Sequence, residues 1–513
     1  MRTLLAIVFA ALTLLTICAH RAAAASFAMI DPVPDLLNGP AITTDPNALA
    51  TGGTAVQGVA AEGVAEIVLR VTASAANESF TFTVINDQNQ PSTSINDDGA
   101  IGAAGSPTID QSSVNLASVS TSTGPMAFAI YRAPLDFARA GGGDDSLTQR
   151  AITIQWTASN SADNSSTQVT IIRPLVALVH GLWGEPSDWN DFGPLYSTAG
   201  NDPRFAVRTA DYSFDIGESL ASTTPSYDIV GGAKANSLGF AYNAGQVAQQ
   251  IDSFVAAFKA GANPAGIAVA AVQADVVGHS MGGDVTRTMP LLENFASATT
   301  LGQGNVHKLV TVDTPHLGSP LALALLANAN ECARDTLATD DLYSFESVTI
   351  DELNIIISGA MGDLSGNGAG GALSYALAAL QPGSSIPIFT PQIPTAYIAG
   401  VMSQTQLNDL TTNPTLTEEF LTSWCSDDPL AQDLTPQKWP NLLSNQSDAI
   451  VPYTSQVNNA SPAATPAAAV HSGGAETLGF GAPDALDSVT GNPDAVINLL
   501  NTPITDSVWT VLR

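Results

Sequence analysis

Residues 275–283 read Asp275-Val276-Val277-Gly278-His279-Ser280-Met281-Gly282-Gly283. A glycine stands two positions before and two positions after Ser280, which gives the pattern Gly-x-Ser-x-Gly. The valines before it are typical of a buried strand, and Val285, Met289 and Leu292 follow at helical spacing. The stretch therefore predicts a strand, a tight turn and a helix. The glycines stand where the two backbones would pass too closely for a Cβ atom, as in a nucleophile elbow.

The chain from 173 to 513 alternates apolar strands with helical patterns. The run Leu175–Val179 is apolar throughout, as expected for a strand that is covered on both faces. Further strands are predicted at 207–212, 307–312 and 396–400, and the helix after the elbow is predicted over 284–292. We expect a doubly wound, mostly parallel α/β sheet.

Two segments within this region are too long for ordinary loops. They cover about 321–393 and 402–443, and the first is rich in Ala, Leu and Gly. We predict that they are insertions over the carboxyl edge of the sheet, helical in the first case. The sequence leaves open whether the first insertion is a lid that moves or a set of additional core helices.

Residues 26–172 have the sequence pattern of an all-β domain. Apolar and polar residues alternate over the predicted strands 65–71, 79–85, 127–131, 151–156 and 167–172, with Asn, Asp, Ser and Gly between them. This pattern predicts a β-sandwich that resembles immunoglobulin-like or cadherin-like modules. The polar groups at 86–89 and 96–98 could offer oxygen ligands to calcium, but they lack EF-hand spacing, and solvated turns are the simpler interpretation.

Residues 1–25 have the composition of a secretory signal peptide. Arg2 precedes an apolar run at 4–12, and the segment ends in four alanines at 22–25. A membrane anchor is the alternative, but the apolar run is short for a full span. No later stretch is apolar enough to cross a bilayer. We therefore expect an exported mature protein, extracellular or periplasmic, without a transmembrane segment.

The charge of the chain is strongly acidic. The formal net charge is −31, and without the two arginines of residues 1–25 the mature chain has 14 Lys and Arg against 47 Asp and Glu. Such a surface argues against nucleic acid and anionic membranes as partners. Two cysteines remain after residue 25, Cys332 and Cys425. An oxidising compartment would allow them to form one disulfide, and two buried thiols are the alternative.

A serine hydroxyl needs a histidine as general base and a carboxylate that orients the imidazole. The chain has six histidines: His20, His180, His279, His307, His316 and His471. His471 lies in a late loop, after the last predicted strand, where the base is expected in the chain order Ser, acid, His. The other histidines belong to residues 1–25, to predicted strand ends or to the elbow. His316, in a turn flanked by prolines, is predicted to have a structural role.

Asp448 is the predicted acid, because it stands after the strand at 396–400 and 23 residues before His471. Asp313, at the end of the strand after the elbow, is its rival. The oxyanion hole requires two backbone N–H groups. We expect one from Met281, at the first turn of the elbow helix, and the other from Leu182, just after the first strand of the α/β sheet.

Taken together, these motifs resemble the α/β-hydrolase superfamily, and within it the secreted bacterial triacylglycerol lipases and esterases. The resemblance covers residues 173–513 and depends on four segments in the expected order, which are His180–Gly184, Gly278–Gly283, Thr314–Pro320 and Asp448–Pro452. It implies hydrolysis of carboxylic esters through an acyl-serine intermediate, with an apolar pocket for the acyl chain. Ala449 replaces the glycine that is usual in the acid loop. No cofactor is required. Some related lipases carry a structural calcium ion, but no ligand set for it can be read here.

The sequence thus indicates a secreted carboxylic ester hydrolase, a lipase or an esterase, acting on small-molecule or lipid esters. The same three side chains would also serve an acyltransferase or a hydrolase of amides or polyesters. A third hypothesis is a cell-surface binding protein with an inactive hydrolase domain, because the N-terminal β-domain would suit contact with a surface or a polymer.

Overall fold

The computed structural model describes residues 26–139, 143–182, 184–190, 192–193, 195–196, 200–213, 240–319, 393–403, 446–448, 450–457, 465–467, 471 and 493–511. The predicted signal peptide, Cys332, Cys425 and nearly all of both predicted insertions (321–392 and 404–443) lie outside these residues.

The described elements are short strands in the first part of the chain and a mixture of strands and helices in the second. In chain order the strands are β1 Phe27–Asp31, β2 Leu37–Asn38, β3 Ala41–Ile42, β4 Thr54–Ala55, β5 Gly58–Ala60, β6 Glu66–Thr72, β7 Ser79–Ile85, β8 Ala100–Gly102, β9 Ser113–Ala117, β10 Val119–Thr121, β11 Gly124–Arg132, β12 Gln149–Ala158, β13 Ser165–Ile172, β14 Leu175–Val179, β15 Val207–Thr209, β16 Val269–Ala270, β17 Ala274–His279, β18 Val306–Val312, β19 Pro394–Gly400, β20 Thr465–Ala467 and β21 Thr510–Val511. The helices are α1 Pro46–Thr51, α2 Ile95–Asp98, α3 Phe240–Lys259, α4 Met281–Thr288, α5 Tyr453–Gln456 and α6 Pro493–Asn501, with 3₁₀ turns at Ser161–Asp163, Pro186–Trp189 and Met289–Leu291.

The first part of the chain forms two six-stranded sheets. One has the order β10-β11-β6-β1-β4, with β8 also paired to β11, and the other has the order β16-β5-β13-β12-β7-β9. In β7, Phe80, Phe82 and Val84 are buried and the residues between them are half-buried, as the period of two predicts. These side chains share one buried cluster with Ile67 and Leu69 of the facing sheet. The core of this domain therefore lies between its two sheets.

The second part is built on a seven-stranded sheet of order β15-β14-β17-β18-β19-β20, in which only β21, the antiparallel neighbour of β19, breaks the parallel arrangement of the described strands. Every residue of β14, β17 and β18 is buried. Alternate residues of these strands pack on opposite faces, towards α3 and α4 on one side and α6 on the other. The predicted α/β sheet is confirmed.

The elbow helix is shorter than predicted. The α-helical pattern over 284–292 is correct only to Thr288, where α4 ends and the 3₁₀ turn Met289–Leu291 begins. Pro290 explains the difference, because proline has no N–H with which to continue the helical hydrogen bonds.

The crossing of β17 and α4 leaves no room for side chains at its glycines. A Cβ atom on Gly278 would lie 2.6 Å from the backbone nitrogen of Gly283, and one on Gly282 would lie 2.2 Å from the carbonyl oxygen of Val179. Both distances are far below van der Waals contact. The glycines thus let the strand, the turn and the helix pack as one unit, and this unit carries Ser280.

The two parts of the chain share buried contacts. β16 belongs to the sequence of the second part, yet it extends a sheet of the first part as the parallel neighbour of β5. Next to it, the buried carboxyl group of Glu62 accepts hydrogen bonds from the N–H groups of Val272 (2.6 Å) and Gln273 (3.0 Å). On the same junction, Lys308 Nζ lies 3.0 Å from Asp136 Oδ1. The β-domain is therefore packed directly against the strands that lead to the elbow.

None of the described helices combines the length and the apolar character that are needed to cross a bilayer.

Substitution of Gly278 by Ala should destabilise the protein by about 2 kcal/mol, because the new methyl group would overlap the backbone of Gly283. Gly245→Ala is the matched control. A Cβ at Gly245, within α3, meets no atom within 4 Å, so alanine should be neutral or stabilise by about 0.5–1 kcal/mol. Urea unfolding measures both, and equal stability of the two variants would contradict the crowding at the elbow.

Glu62 should make folding stability depend on pH. Burial raises its pKa from the ordinary value of 4.5 to about 8. The folded state therefore favours the neutral form, and the stability that Glu62 contributes is present below about pH 4.5 and is lost as the pH rises towards 8. Between pH 4.5 and about 8, Glu62 should make the free energy of unfolding decrease with rising pH, by up to about 1 kcal/mol per pH unit. We expect this decrease to be smaller in the Glu62→Gln variant.

Glu293→Gln, at an exposed position, is the control and should leave the pH dependence as it is in the unmodified protein. Identical slopes for the Glu62→Gln variant and the unmodified protein would show that Glu62 does not titrate in this way.

Candidate active site

Ser280 stands in the turn between β17 and α4 with a strained backbone. Its φ is +52°, in the left-handed region that residues with a side chain rarely adopt. The turn is fixed by the close crossing of β17 and α4 and by the hydrogen bond from Ser280 N–H to the carbonyl oxygen of Val312 (2.9 Å). This conformation places the serine at the carboxyl edge of the sheet.

The imidazole of His471 meets this serine. Its Nε2 lies 2.8 Å from Ser280 Oγ, and both side chains are nearly inaccessible to solvent. His471 follows β20, the strand at the far side of β19, so the fold brings together residues that are 191 positions apart. Of the candidate bases, His471 is the one that the structure places beside Ser280.

Asp448 lies on the other side of the same imidazole. Its Oδ2 is 2.7 Å from His471 Nδ1, and its Oδ1 accepts the N–H groups of Ile450 (2.9 Å) and Val451 (2.6 Å). The carbonyl oxygen of Asp448 also accepts the N–H of His471 at 2.9 Å. Because a carboxylate only accepts hydrogen bonds, the imidazole proton lies on Nδ1, and Nε2 is left to accept the serine proton.

His279 supports the backbone of His471. Its Nε2 is 3.1 Å from the carbonyl oxygen of His471, and the two rings are 5.2 Å apart. Burial, helped by the neighbouring imidazole of His471, lowers the pKa of His279 to about 3, so it stays neutral and donates this hydrogen bond. Sequence reasoning assigned His279 only to the elbow and missed this contact. Its position directly before Ser280 is the signal that could have suggested it.

The loop after β14 lies against Ser280. A Cβ on Gly181 would be 2.8 Å from the Cβ of Ser280. The carbonyl oxygen of Gly181 accepts hydrogen bonds from Gly184 N–H (3.2 Å) and His180 Nδ1 (3.0 Å). The N–H of Leu182 belongs to the same peptide group as this carbonyl. Because that group is planar and trans, the N–H points in the direction opposite to the carbonyl oxygen.

Tyr212 holds the start of the same loop. Its hydroxyl donates to the carbonyl oxygen of His180, and the two rings stack with centroids 4.1 Å apart. Burial raises the pKa of Tyr212, so the hydroxyl keeps the proton that it donates. The other predicted oxyanion donor, Met281, is the first residue of α4, where backbone N–H groups have no partner within the helix.

His316 belongs to a separate buried cluster. Its Nδ1 lies 2.8 Å from Arg287 Nη1 and 3.2 Å from Asp284 Oδ1, and its Nε2 lies 3.2 Å from Thr311 Oγ1. Burial lowers the pKa of His316 to about 4. These contacts tie the loop after β18 to α4, which is a structural role.

Asp313, the rival acid, lies close to the other two candidates. One possible ligand atom from each of Asp313, Asp448 and His471 lies within 4.8 Å of the other two. Among the described residues, these three are the group of acidic and histidine side chains close enough together to hold a metal ion. Both nitrogens of His471 already bind Ser280 and Asp448, so hydrogen bonding within the site accounts for this group without a metal ion.

The geometry suits nucleophilic catalysis. A hydroxyl 2.8 Å from a neutral imidazole can pass its proton to the nitrogen as the oxygen attacks a carbonyl carbon. A buried carboxylate on the far side of the ring stabilises the imidazolium that results.

A comparison with protein-family models agrees with this type of fold. A model of the PGAP1-like alpha/beta domain family matches residues 268–357, which include β17, Ser280 and Asp313. The match covers less than a fifth of the chain. It supports an α/β-hydrolase-type fold for this segment. No curated protein matches the chain.

The solved structures that are similar to parts of the chain include the following two. The lipase BlEst2 of Bacillus licheniformis, in its mature form, shares 15% identity over 64% of this chain and 92% of that chain, with a TM-score of 0.34. A family 123 glycoside hydrolase from Clostridium perfringens shares 12% identity over 32% of this chain and 31% of that chain, with a TM-score of 0.17. At these TM-scores neither structure carries an argument about activity. The family to which this chain is similar is therefore that of the PGAP1-like α/β domain, over residues 268–357.

Proposed function

We propose that this protein is a secreted serine hydrolase that cleaves carboxylic esters, as a lipase or an esterase does. The observation that carries the proposal is the hydrogen-bonded series Ser280 Oγ, His471 Nε2, His471 Nδ1 and Asp448 Oδ2, with distances of 2.8 and 2.7 Å. The match to an α/β-hydrolase-type family over the elbow supports it.

In the proposed first half-reaction, Ser280 Oγ attacks the ester carbonyl carbon while its proton moves to His471 Nε2. The carbonyl oxygen becomes an oxyanion, which the N–H groups of Met281 and Leu182 would bind. The carbonyl then re-forms as the bond to the alcohol oxygen breaks, and His471 gives its proton to that oxygen. The products are an alcohol and an acyl-serine.

In the second half-reaction, a water molecule takes the place of the alcohol. His471 accepts a proton from the water as its oxygen attacks the acyl carbon, and it returns a proton to Ser280 Oγ when the acid leaves. Asp448 neither gains nor loses a proton in this scheme. Its Oδ1 is fixed by two N–H groups, and its Oδ2 accepts from His471 Nδ1, which keeps the imidazole in the required tautomer.

Export is part of the proposal and rests on residues 1–25 alone. Arg2, the apolar run at 4–12 and the alanines at 22–25 are the features that support a cleaved signal peptide. The amino terminus of the protein recovered from culture medium or periplasm, read by mass spectrometry, tests this. Recovery of the uncleaved chain in the cytoplasm would contradict it.

Ser280→Ala should lower the kcat for a p-nitrophenyl ester by at least about 10⁴-fold, because it removes the hydroxyl that lies 2.8 Å from His471 Nε2. Ser253→Ala removes an exposed hydroxyl on α3 and is the matched control, with unchanged turnover expected. Circular dichroism confirms that both variants fold. Turnover that survives in the folded Ser280→Ala variant would end the proposal.

A fluorophosphonate should label the unmodified protein once, on Ser280, and should not label the Ser280→Ala variant. Peptide mapping by mass spectrometry locates the adduct. Absence of labelling in the folded protein would favour the alternative of an inactive hydrolase domain. Turnover of esters of increasing acyl length, below and above their solubility limits, then distinguishes an esterase from a lipase.

A further inference from the structure

A second buried carboxylate occupies the carboxyl edge of the sheet between the elbow and the acid loop. Asp313 directly follows β18, and β18 lies between β17, which leads to Ser280, and β19. Asp313 is completely buried, and its backbone φ is +54°. Its N–H donates to the carbonyl oxygen of Ile398 at 3.0 Å. The side chain is therefore held at a fixed point of the edge by a strained backbone.

The end of β19 is shaped around this carboxylate. Gly400 N–H donates to Asp313 Oδ1. A Cβ on Gly400 would lie 2.5 Å from Asp313 Oδ2 and 2.9 Å from its Cγ, so any other residue at position 400 would overlap the carboxylate. The pocket for the Asp313 side chain thus depends on a glycine in the neighbouring strand.

The carboxylate belongs to the same cluster as the proposed base and acid. Ligand atoms of Asp313, Asp448 and His471 lie within 4.8 Å of one another, and all three residues are buried. The imidazole faces a second buried imidazole, His279, which is neutral because burial lowers its pKa to about 3, and His180 lies beyond His279. Among the described residues, the carboxyl groups of Asp448 and Asp313 are the acidic groups that share this cluster with His471.

Negative charge at this distance favours a protonated imidazole, and the effect is strong where water is excluded. In the proposed reaction His471 becomes positively charged each time it accepts a proton from Ser280 or from water. Nothing in that cycle uses Asp313 as a donor or an acceptor of protons, so Asp313 would act through its charge.

We propose that Asp313 is a second acid of this site: a positioning residue whose ionised carboxylate supports the Asp448–His471 pair and takes over part of the role of Asp448 when Asp448 is absent. The proposal rests on the proposed function. It adds to the Ser280, His471 and Asp448 triad an electrostatic partner from the adjacent strand end.

The test is a double-mutant cycle with Asp313→Asn, Asp448→Ala and both changes together. Asparagine tolerates the left-handed backbone at 313 and removes the charge. We expect Asp313→Asn to lower kcat for a p-nitrophenyl ester about tenfold with little change in KM. In the Asp448→Ala background, Asp313→Asn should lower kcat by a factor at least about ten times larger. The reason is that His471 then has Asp313 as its remaining acidic partner.

The pH profile provides a second readout that a purely structural role would not change. The acidic limb of kcat/KM reports the protonation of the base in the free enzyme. Loss of a neighbouring negative charge makes the imidazole harder to protonate, so Asp313→Asn should move this limb to lower pH. Asp98→Asn removes a buried charge in the β-domain, where Asp98 accepts from Ser92, and should leave both rate and limb unchanged.

Equal effects of Asp313→Asn in both backgrounds, with an unmoved acidic limb, would overturn the inference. If Asp313→Asn does not fold, Asp313→Gly keeps the left-handed backbone without strain. Loss of folding in both variants would make Asp313 a structural residue and would also overturn it. Fluorophosphonate labelling of Ser280 separates the two proposals: if the unmodified protein is labelled and active, only the role of Asp313 has failed.

Discussion

The site depends on one hydrogen-bonded imidazole. His471 contacts Ser280 through Nε2 and Asp448 through Nδ1, and each of these contacts is shorter than 3 Å in a part of the molecule that excludes solvent. An imidazole can bridge a donor and an acceptor in this way only in one tautomer, and the carboxylate selects that tautomer. The strands of the parallel sheet bring these three side chains to one edge.

The sheet does this through its strand order. Strands β17, β18, β19 and β20 are neighbours and parallel, so the segments that follow them meet at the same edge. Ser280 and Asp313 directly follow the first two strands. The β-domain is joined to the opposite ends of these strands, where β16 enters its sheet and Lys308 pairs with Asp136. These contacts with the β-domain therefore lie away from the edge that carries Ser280.

Much of this arrangement could be predicted from the sequence because its signals are local. Continuous apolar runs identified the buried strands, and the glycines around Ser280 identified the turn, because only a close backbone crossing requires them. The scarcity of histidine directed attention to His471. Strands of two residues, such as β2, β4 and β16, were missed because they are too short to show a period of two.

Other features depend on tertiary packing, which the sequence does not display. The contact of His279 with the carbonyl oxygen of His471 joins residues 192 positions apart. The place of Asp313 beside Asp448 depends on the register of β18 against β19 and on the missing side chain of Gly400. Sequence reasoning treated Asp313 and Asp448 as rivals, whereas the structure brings both carboxylates to the same imidazole.

The most direct measurement is a crystal structure of the protein after reaction with diethyl p-nitrophenyl phosphate, whose adduct imitates the tetrahedral intermediate. We expect phosphorus bonded to Ser280 Oγ, His471 Nε2 within hydrogen-bond distance of an adduct oxygen, and the phosphoryl oxygen facing the N–H groups of Met281 and Leu182. Phosphorus on another residue, or an adduct on Ser280 with His471 turned away from it, would contradict the central role of this imidazole.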